Sequence, residues 1–272
     1  MTRSLTRAGA AWLEATTKHR AHDYAHLMER WRHVARAGRL RLKVFAETGG
    51  MRLVYLRSPA LAEAGGIYIS AGIHGDEPAA PDGLISWAEQ RVGELAELPL
   101  MIFPCLNPWG LVNNTRVDRD GHDLNRLFHT ETAPVVNACK SLMAPHQFTL
   151  ALMLHEDYDA QGAYLYEVQR ELPFWGESLL EVASDVLPID PRGRIDGRLA
   201  RSGIVRRRFE QRRFATMGYP EAIYLHVHHA RRSLTFETPS EFALAQRSAA
   251  HVKVIDACVR RALAPYSTQI PR

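Results

Sequence analysis

At 272 residues, with 46% hydrophobic and 24% charged residues, the chain has the balance of a soluble globular protein that buries a sizeable core, not of a disordered or fibrous one. No run of about 18 apolar residues is present and no apolar stretch follows Met1–Arg7, which excludes a spanning helix and argues against a signal peptide; a cytoplasmic protein without a membrane partner is expected. The net charge of +4 rests on thirty arginines and only four lysines, an excess read first as base composition and second as recognition of anionic groups. Cys105, Cys139 and Cys258 form no pairing framework, which fits a reducing compartment.

Residues 20–37 carry Tyr24, Leu27, Met28, Trp31 and Val34 at helical spacing. Leu40–Ala46 and Met51–Leu56 are strand-like runs joined by Glu47-Thr-Gly-Gly, which predicts a hairpin. Residues 66–73 form a buried strand that stops at His74-Gly75-Asp76-Glu77, and a helix is expected over 81–92. Leu100–Leu106 is another buried strand, followed by a long polar loop from Asn107-Pro-Trp-Gly110 to Asn125-Arg126. A helix is expected over 131–144, a strand over Phe148–Leu154 ending at His155, and a helix over 173–187. Residues 192–213 hold nine arginines and read as a charged connection; without aromatic interleaving they do not make a nucleic-acid motif. Ala222–His228 and Ser233–Phe236 read as late strands, the second ending at Glu237, and 240–263 as a closing helix. With no repeat or linker, one domain over 1–272 is the economical organisation, residues 1–45 contributing an N-terminal helix and first strand.

Three strand ends thus offer His74 with Glu77, His155, and Glu237. Open α/β folds build their sites at such carboxyl edges, and catalytic zinc takes three ligands from His and Glu while keeping a position for water. His74, Glu77 and His155 fit that inventory, leaving Glu237 as general base, Arg116 and Arg126 as cationic stabilisers and Asp123 as acceptor for the far nitrogen of a ligand histidine. Each piece alone has an ordinary structural reading: a bare HxxE occurs by chance, and a histidine after a strand is usually a hydrogen-bonded loop residue. Asp76, within the HxxE turn, and Asp157, two residues beyond His155, are candidates to help hold a second metal, although acidic turn residues usually solvate or cap, so one ion is expected. No G-x-S-x-G or HExxH occurs, and Cys105 lies inside an apolar strand, which sets aside serine, cysteine and thermolysin-type hydrolases. Alternation in Leu225-His-Val-His228 would turn both histidines to one strand face, and His122, His129 and His229 are either site neighbours or ordinary polar positions.

Taken together, Gly72-Ile-His-Gly-Asp-Glu77, Asn107-Pro-Trp-Gly110, Thr115-Arg116, Asp123-Leu-Asn-Arg-Leu-Phe128, His155 and Thr235-Phe-Glu-Thr-Pro239 resemble the zinc carboxypeptidase family. Its clan includes the succinylglutamate desuccinylases and aspartoacylases, and the likeness covers roughly residues 50–262. The resemblance implies an α/β fold of three layers, a mixed, mostly parallel sheet flanked by helices, with one Zn2+ at its carboxyl edge. It implies His74, Glu77 and His155 as ligands, Arg116 for the carbonyl oxygen, and Asn125 and Arg126 for a terminal carboxylate. Glu237 would be the general base and then acid, and Asp123 would orient His74. The family's mobile tyrosine is not assigned; Tyr219 and Tyr224 fall in the right interval without a motif.

The expected partner is a small peptide or acyl-amino-acid substrate with a free carboxylate. Only 35 residues follow Glu237, whereas the desuccinylase branch generally adds a β-rich domain there, so the compact peptidase form is expected. Thr235–Pro239 also resembles the bacterial γ-D-glutamyl-diaminopimelate amidases, which act on carboxylate-rich murein peptides. The alternatives are an N-acyl amino acid deacylase, a zinc-binding protein without catalysis, and an arginine-rich adaptor working through 192–213.

Overall fold

The computed structural model describes residues 20–169, 173–206 and 218–264. Its centre is an eight-stranded sheet of order β1-β2-β4-β3-β5-β10-β6-β9. These strands are β1 (Arg41–Thr48), β2 (Met51–Arg57), β3 (Ile67–Ala71), β4 (Leu100–Phe103), β5 (Phe148–Asp157), β6 (Tyr164–Gln169), β9 (Ile204–Arg206) and β10 (Ala230–Pro239); β7 (Arg194–Ile195) and β8 (Arg198–Leu199) form a separate small hairpin. The run β4-β3-β5-β10 is parallel, the β1–β2 hairpin adds antiparallel to β4, and β6 lies antiparallel to β10. Seven α-helices are described: α1 (Tyr24–Ala37), α2 (Ala79–Gln90), α3 (Pro108–Asn113), α4 (Pro134–Met143), α5 (Gly176–Ala183), α6 (Glu221–His228) and α7 (Leu244–Leu263). The fold is the expected three-layer α/β sandwich with a mixed, mostly parallel sheet. Among the described residues no helix is long and apolar enough to cross a membrane.

Strand alternation divides the core. Leu152 and Leu154 of β5 and Leu234 and Phe236 of β10 point to one face, packing under α1, α2, α5 and α7 with Trp31, Leu84, Leu179 and Ile255. Ala151 and Met153 point to the other, with Phe128, Val136 and Met143 from the α4 side and Leu225 of α6. The central strands are buried on both faces, which is why they read as continuous apolar runs. Helices α2 and α7 touch closely: a Cβ on Gly83 would lie 2.5 Å from His251 Cβ.

His251 is fully buried at that contact, with Nε2 3.2 Å from Thr238 Oγ1 and its ring edge-on to Phe236. Burial, aided by Arg247, pushes its imidazole down to about 3, whereas an unfolded histidine titrates near 6.5. Below pH 6.5 the unfolded chain therefore binds a proton that the folded chain refuses. The stability linked to His251 is complete above that pH and falls by about 1.4 kcal/mol per pH unit as the pH drops towards 3. Urea unfolding at pH 7 and pH 5 should show a larger loss for the wild type than for His251→Gln; equal losses would mean that His251 is not held neutral.

Several segments differ from the sequence expectation. Residues 222–228 are helix α6, not a strand: Pro220 and Glu221 start it, the Glu221 N–H is capped by Asn125 Oδ1 at 2.9 Å, and buried Glu221, Ile223 and Leu225 mimic strand alternation. His226 and His228 accordingly diverge, the first buried and the second exposed. The polar loop after residue 106 holds α3, whose Asn107 side chain accepts from Gly110 N–H at 2.9 Å while Pro108 occupies the first turn, and a 3-10 turn over Leu124–Arg126. Strand β6, unassigned from sequence, lies beside β10, and the described part of 192–213 contributes β7, β8 and β9. Strands β5 and β10 run on to Asp157 and Pro239, so His155 and Glu237 lie within strands instead of after them. Residues 207–213 of the arginine-rich segment, like Met1–Arg7, lie outside the described residues.

Candidate metal centre

Gly72 to Pro78 leaves β3 and turns into α2, carrying His74 and Glu77 inward; both side chains are buried. The turn is held against the segment after β4 by Gly75 N–H to Thr115 O (3.1 Å) and Asn107 N–H to Gly72 O (2.7 Å). Gly75 lies so close to α3 that a Cβ there would come 1.9 Å from Gly110 C and 2.3 Å from Leu111 N. Across the sheet edge, parallel register pairs Glu237 of β10 with His155 of β5, and antiparallel register pairs it with Tyr164 of β6. Period-2 alternation then sends Met153, His155, Thr235, Glu237, Tyr164 and Tyr166 to the same face. They line one cavity of about 390 Å³ together with His74, Glu77, Arg116, Asn125 and Arg126.

One ligand atom each from His74, Glu77 and His155 lies within 4.8 Å of the other two, all three residues being buried. His74 Nδ1 is 2.6 Å from Glu77 Oε1, and His155 Nδ1 is 2.9 Å from Glu77 Oε2. Glu77 Oε2, ion-paired with His155 at that distance, is a buried oxygen that makes no well-formed hydrogen bond. A cation seated between these donors would satisfy that oxygen, and two imidazoles with one carboxylate is a zinc ligand set. His74 Nε2 lies 3.3 Å from Asp123 Oδ1, the carboxylate–histidine arrangement that fixes a ligand ring and its tautomer.

The electrostatics tell the same story. Although burial disfavours its charge, Glu77 is held well below the usual carboxylate range by His74 and His155. His74 is likewise opposed by burial but raised to about 9 by Glu77 and Asp123, and His155 is raised by Glu77. The Glu77 carboxylate thus favours positive charge on the two imidazoles, the sign of charge that a bound dication would bring. Burial, together with Glu77, Asp157 and Asp196, pushes Glu237 up to about 8 against the lowering effect of His155.

Arg116 reaches the rim with Nε 3.1 Å from Asp123 Oδ2 and Nη1 3.7 Å from Glu77 Oε1, its side chain 43% exposed. Asn125 uses Oδ1 to accept the Glu221 N–H, and Arg126 Nη1 donates to Asn125 O at 2.9 Å. The structure therefore gathers His74, Glu77, His155, Glu237, Arg116, Asp123, Asn125 and Arg126 around one cavity and its rim. Of the other candidates, Asp157 also lines the cavity, where it is engaged by Arg192 and Tyr164, whereas Asp76 is half-buried beside Glu77 and His122 sits in an exposed turn with Asp118. Tyr224 packs with Phe128, His228 and His229, and Tyr219 pairs with His129. The cavity tyrosines are Tyr164 and Tyr166, which sequence reasoning missed; the alternation of tyrosine with leucine and glutamate over 164–167 was their signal.

Residues 64–155 match the model of the succinylglutamate desuccinylase/aspartoacylase catalytic domain. No curated protein matches the sequence significantly. A provisionally assigned metallopeptidase of Shewanella amazonensis superposes with a TM-score of 0.78 at 25% identity, over 89% of this chain and 94% of its own. A metallo-carboxypeptidase of Burkholderia cenocepacia gives 0.62 at 18% identity, over 85% of this chain and 67% of its own. A murein-tripeptide amidase of Escherichia coli O157 gives 0.56 at 17% identity, over 83% and 93%. The last two, at these identities, are likenesses of fold.

Proposed function

We propose that the chain, similar over residues 64–155 to the succinylglutamate desuccinylase/aspartoacylase catalytic domain and in fold to a provisionally assigned metallopeptidase, is a zinc-dependent amidohydrolase of the zinc carboxypeptidase kind that cleaves an amide bond beside a free carboxylate. The observation that carries this reading is the buried His74–Glu77–His155 cluster sharing one cavity with Glu237, Asn125 and Arg126. A cavity of about 390 Å³ is of small-ligand size.

Zinc held by His74, Glu77 and His155 would supply a Lewis acid and a water acidified to a pKa of about 7. The surrounding residues do the rest. Glu237, facing the same cavity, takes a proton from the attacking water and returns it to the leaving amine as the C–N bond breaks. Arg116, pinned by Asp123 at one edge, presents its guanidinium to the carbonyl oxygen as negative charge develops there. Asp123 holds the His74 ring so that Nδ1 stays turned towards Glu77. Asn125 has spent its oxygen on the Glu221 N–H, which leaves its Nδ2 donor, beside the Arg126 fork, for a substrate carboxylate.

Treatment with a chelator is expected to abolish hydrolysis, and about one equivalent of zinc to restore it. Activity surviving complete metal removal would end this reading. The substrates to screen are C-terminal dipeptides, murein tripeptide and N-acyl amino acids. The last set represents a second reading, an acyl-amino-acid deacylase, favoured by the catalytic-domain match over 64–155. The adaptor reading gains no support from Arg192 and Arg206, which are paired with Asp190, Asp157, Glu167 and Glu177.

A further inference from the structure

The donors of the candidate metal site come from segments distant in sequence, Glu77 ahead of α2 and His155 in β5. Something must set their separation. Glu156, the residue after His155, is turned by strand alternation to the opposite face of the sheet. There its side chain is fully buried, Oε1 accepts the Ala79 N–H at 2.6 Å, and Oε2 pairs with the Arg247 guanidinium. Ala79 begins α2 and stands two residues after Glu77. The N-cap residue Pro78 makes no side-chain capping bond, and Pro81 has no N–H to offer. The α2 N-terminus is therefore capped from β5 by a carboxylate, the charge its dipole favours. Arg247, in the first turn of α7, is itself fixed by Nε donating to Phe242 O at 2.8 Å. One carboxylate thus ties three elements together, one residue from His155 and two from Glu77.

We propose that Glu156, braced by Arg247, is a positioning residue that sets the spacing of His155 and Glu77 and thereby presets the metal site. This rests on the zinc reading above. The plainer role is helix capping alone, and the fold contains a matched case of it. Glu167 of β6 accepts from Trp175 N–H (2.6 Å) and Gly176 N–H (3.2 Å) at the start of α5 and pairs with Arg206, with none of the three proposed ligands next to it in the chain. Glu167→Gln is therefore the control for Glu156→Gln.

The test titrates metal-free wild type, E156Q, E156A, R247M and E167Q with zinc against a fluorescent chelator. Cobalt absorption spectra and thermal unfolding of the metal-free proteins accompany it. E156Q and E156A should weaken zinc binding by about 10–100-fold, the usual effect of losing a group that orients metal ligands, and should change the cobalt d–d bands. R247M should weaken it less, and it keeps the test open if E156A fails to fold. E167Q should bind zinc like the wild type even where its melting temperature drops. Wild-type affinity and cobalt spectrum in folded E156Q, or equal weakening in E167Q, would reduce Glu156 to a cap. If wild type takes up no zinc, or His155→Ala takes it up equally well, the metal-site reading falls and this proposal with it.

Discussion

Replacing Glu237 with glutamine is expected to lower turnover by about 10²–10⁴-fold, the range of a lost general base, while zinc content stays that of the wild type. The substitution keeps size and hydrogen-bonding capacity but removes the proton acceptor. Glu237 lies opposite His155 in the parallel register of β5 and β10 and faces the same cavity, yet it is not among the three clustered ligand residues. Metal binding and proton transfer should therefore separate in this variant. Turnover measured per bound zinc decides the matter: an unchanged value removes Glu237 from the chemistry, and a loss matched by lost zinc makes it a ligand.

Gly75→Ala should be as damaging without touching a reactive group. The added Cβ would overlap backbone atoms of Gly110 and Leu111 at 1.9 and 2.3 Å, and no rotamer change relieves a backbone clash. Either α3 and the His74–Glu77 turn separate, or the fold loses stability; overpacking of this kind costs about 1–3 kcal/mol or more. Movement of the turn shifts His74 and Glu77 together, and a displacement of about 1 Å can cost about 10²-fold in rate. Thermal unfolding and zinc competition should both fall short of wild type in Gly75→Ala and match it in Gly93→Ala, where an added Cβ meets nothing within 4 Å. Wild-type behaviour of Gly75→Ala would contradict the close packing of α3 on the turn.

The parts of the molecule legible in the sequence are those where one force dominates. Strands β3, β4 and β5 are buried on both faces, so apolar runs reveal them, and the polar residues that interrupt those runs mark the sheet edge. His74, Glu77 and His155 could be gathered because strand ends of a parallel sheet converge at one edge. Helix α6 was hidden because Glu221, one of its most buried residues, is polar, and because its cap, Asn125, comes from 96 residues earlier in the chain. Helix α3 was legible in principle, through Asn107 at its N-cap and Pro108 behind it. Tyr164 and Tyr166 enter the cavity only because β6 pairs antiparallel with β10, a long-range pairing that local pattern does not reveal. Glu156 is the clearest limit: its partners, Ala79 and Arg247, lie 77 residues before it and 91 residues after it.

The register that places Glu237 beside His155 also bears on redesign. Neighbouring strands are held about 4.8 Å apart by their hydrogen-bond ladder, so the spacing between Glu237 and His155 is a lattice constant of the sheet and not a property of any loop. Altering that spacing would mean slipping a whole strand, which turns every side chain to the wrong face. New substrate preferences should therefore be engineered from Asp196 and Arg198 of the small hairpin and from Gly218 and Pro220, which border the same cavity. β5 and β10 are the fixed frame into which such walls are fitted.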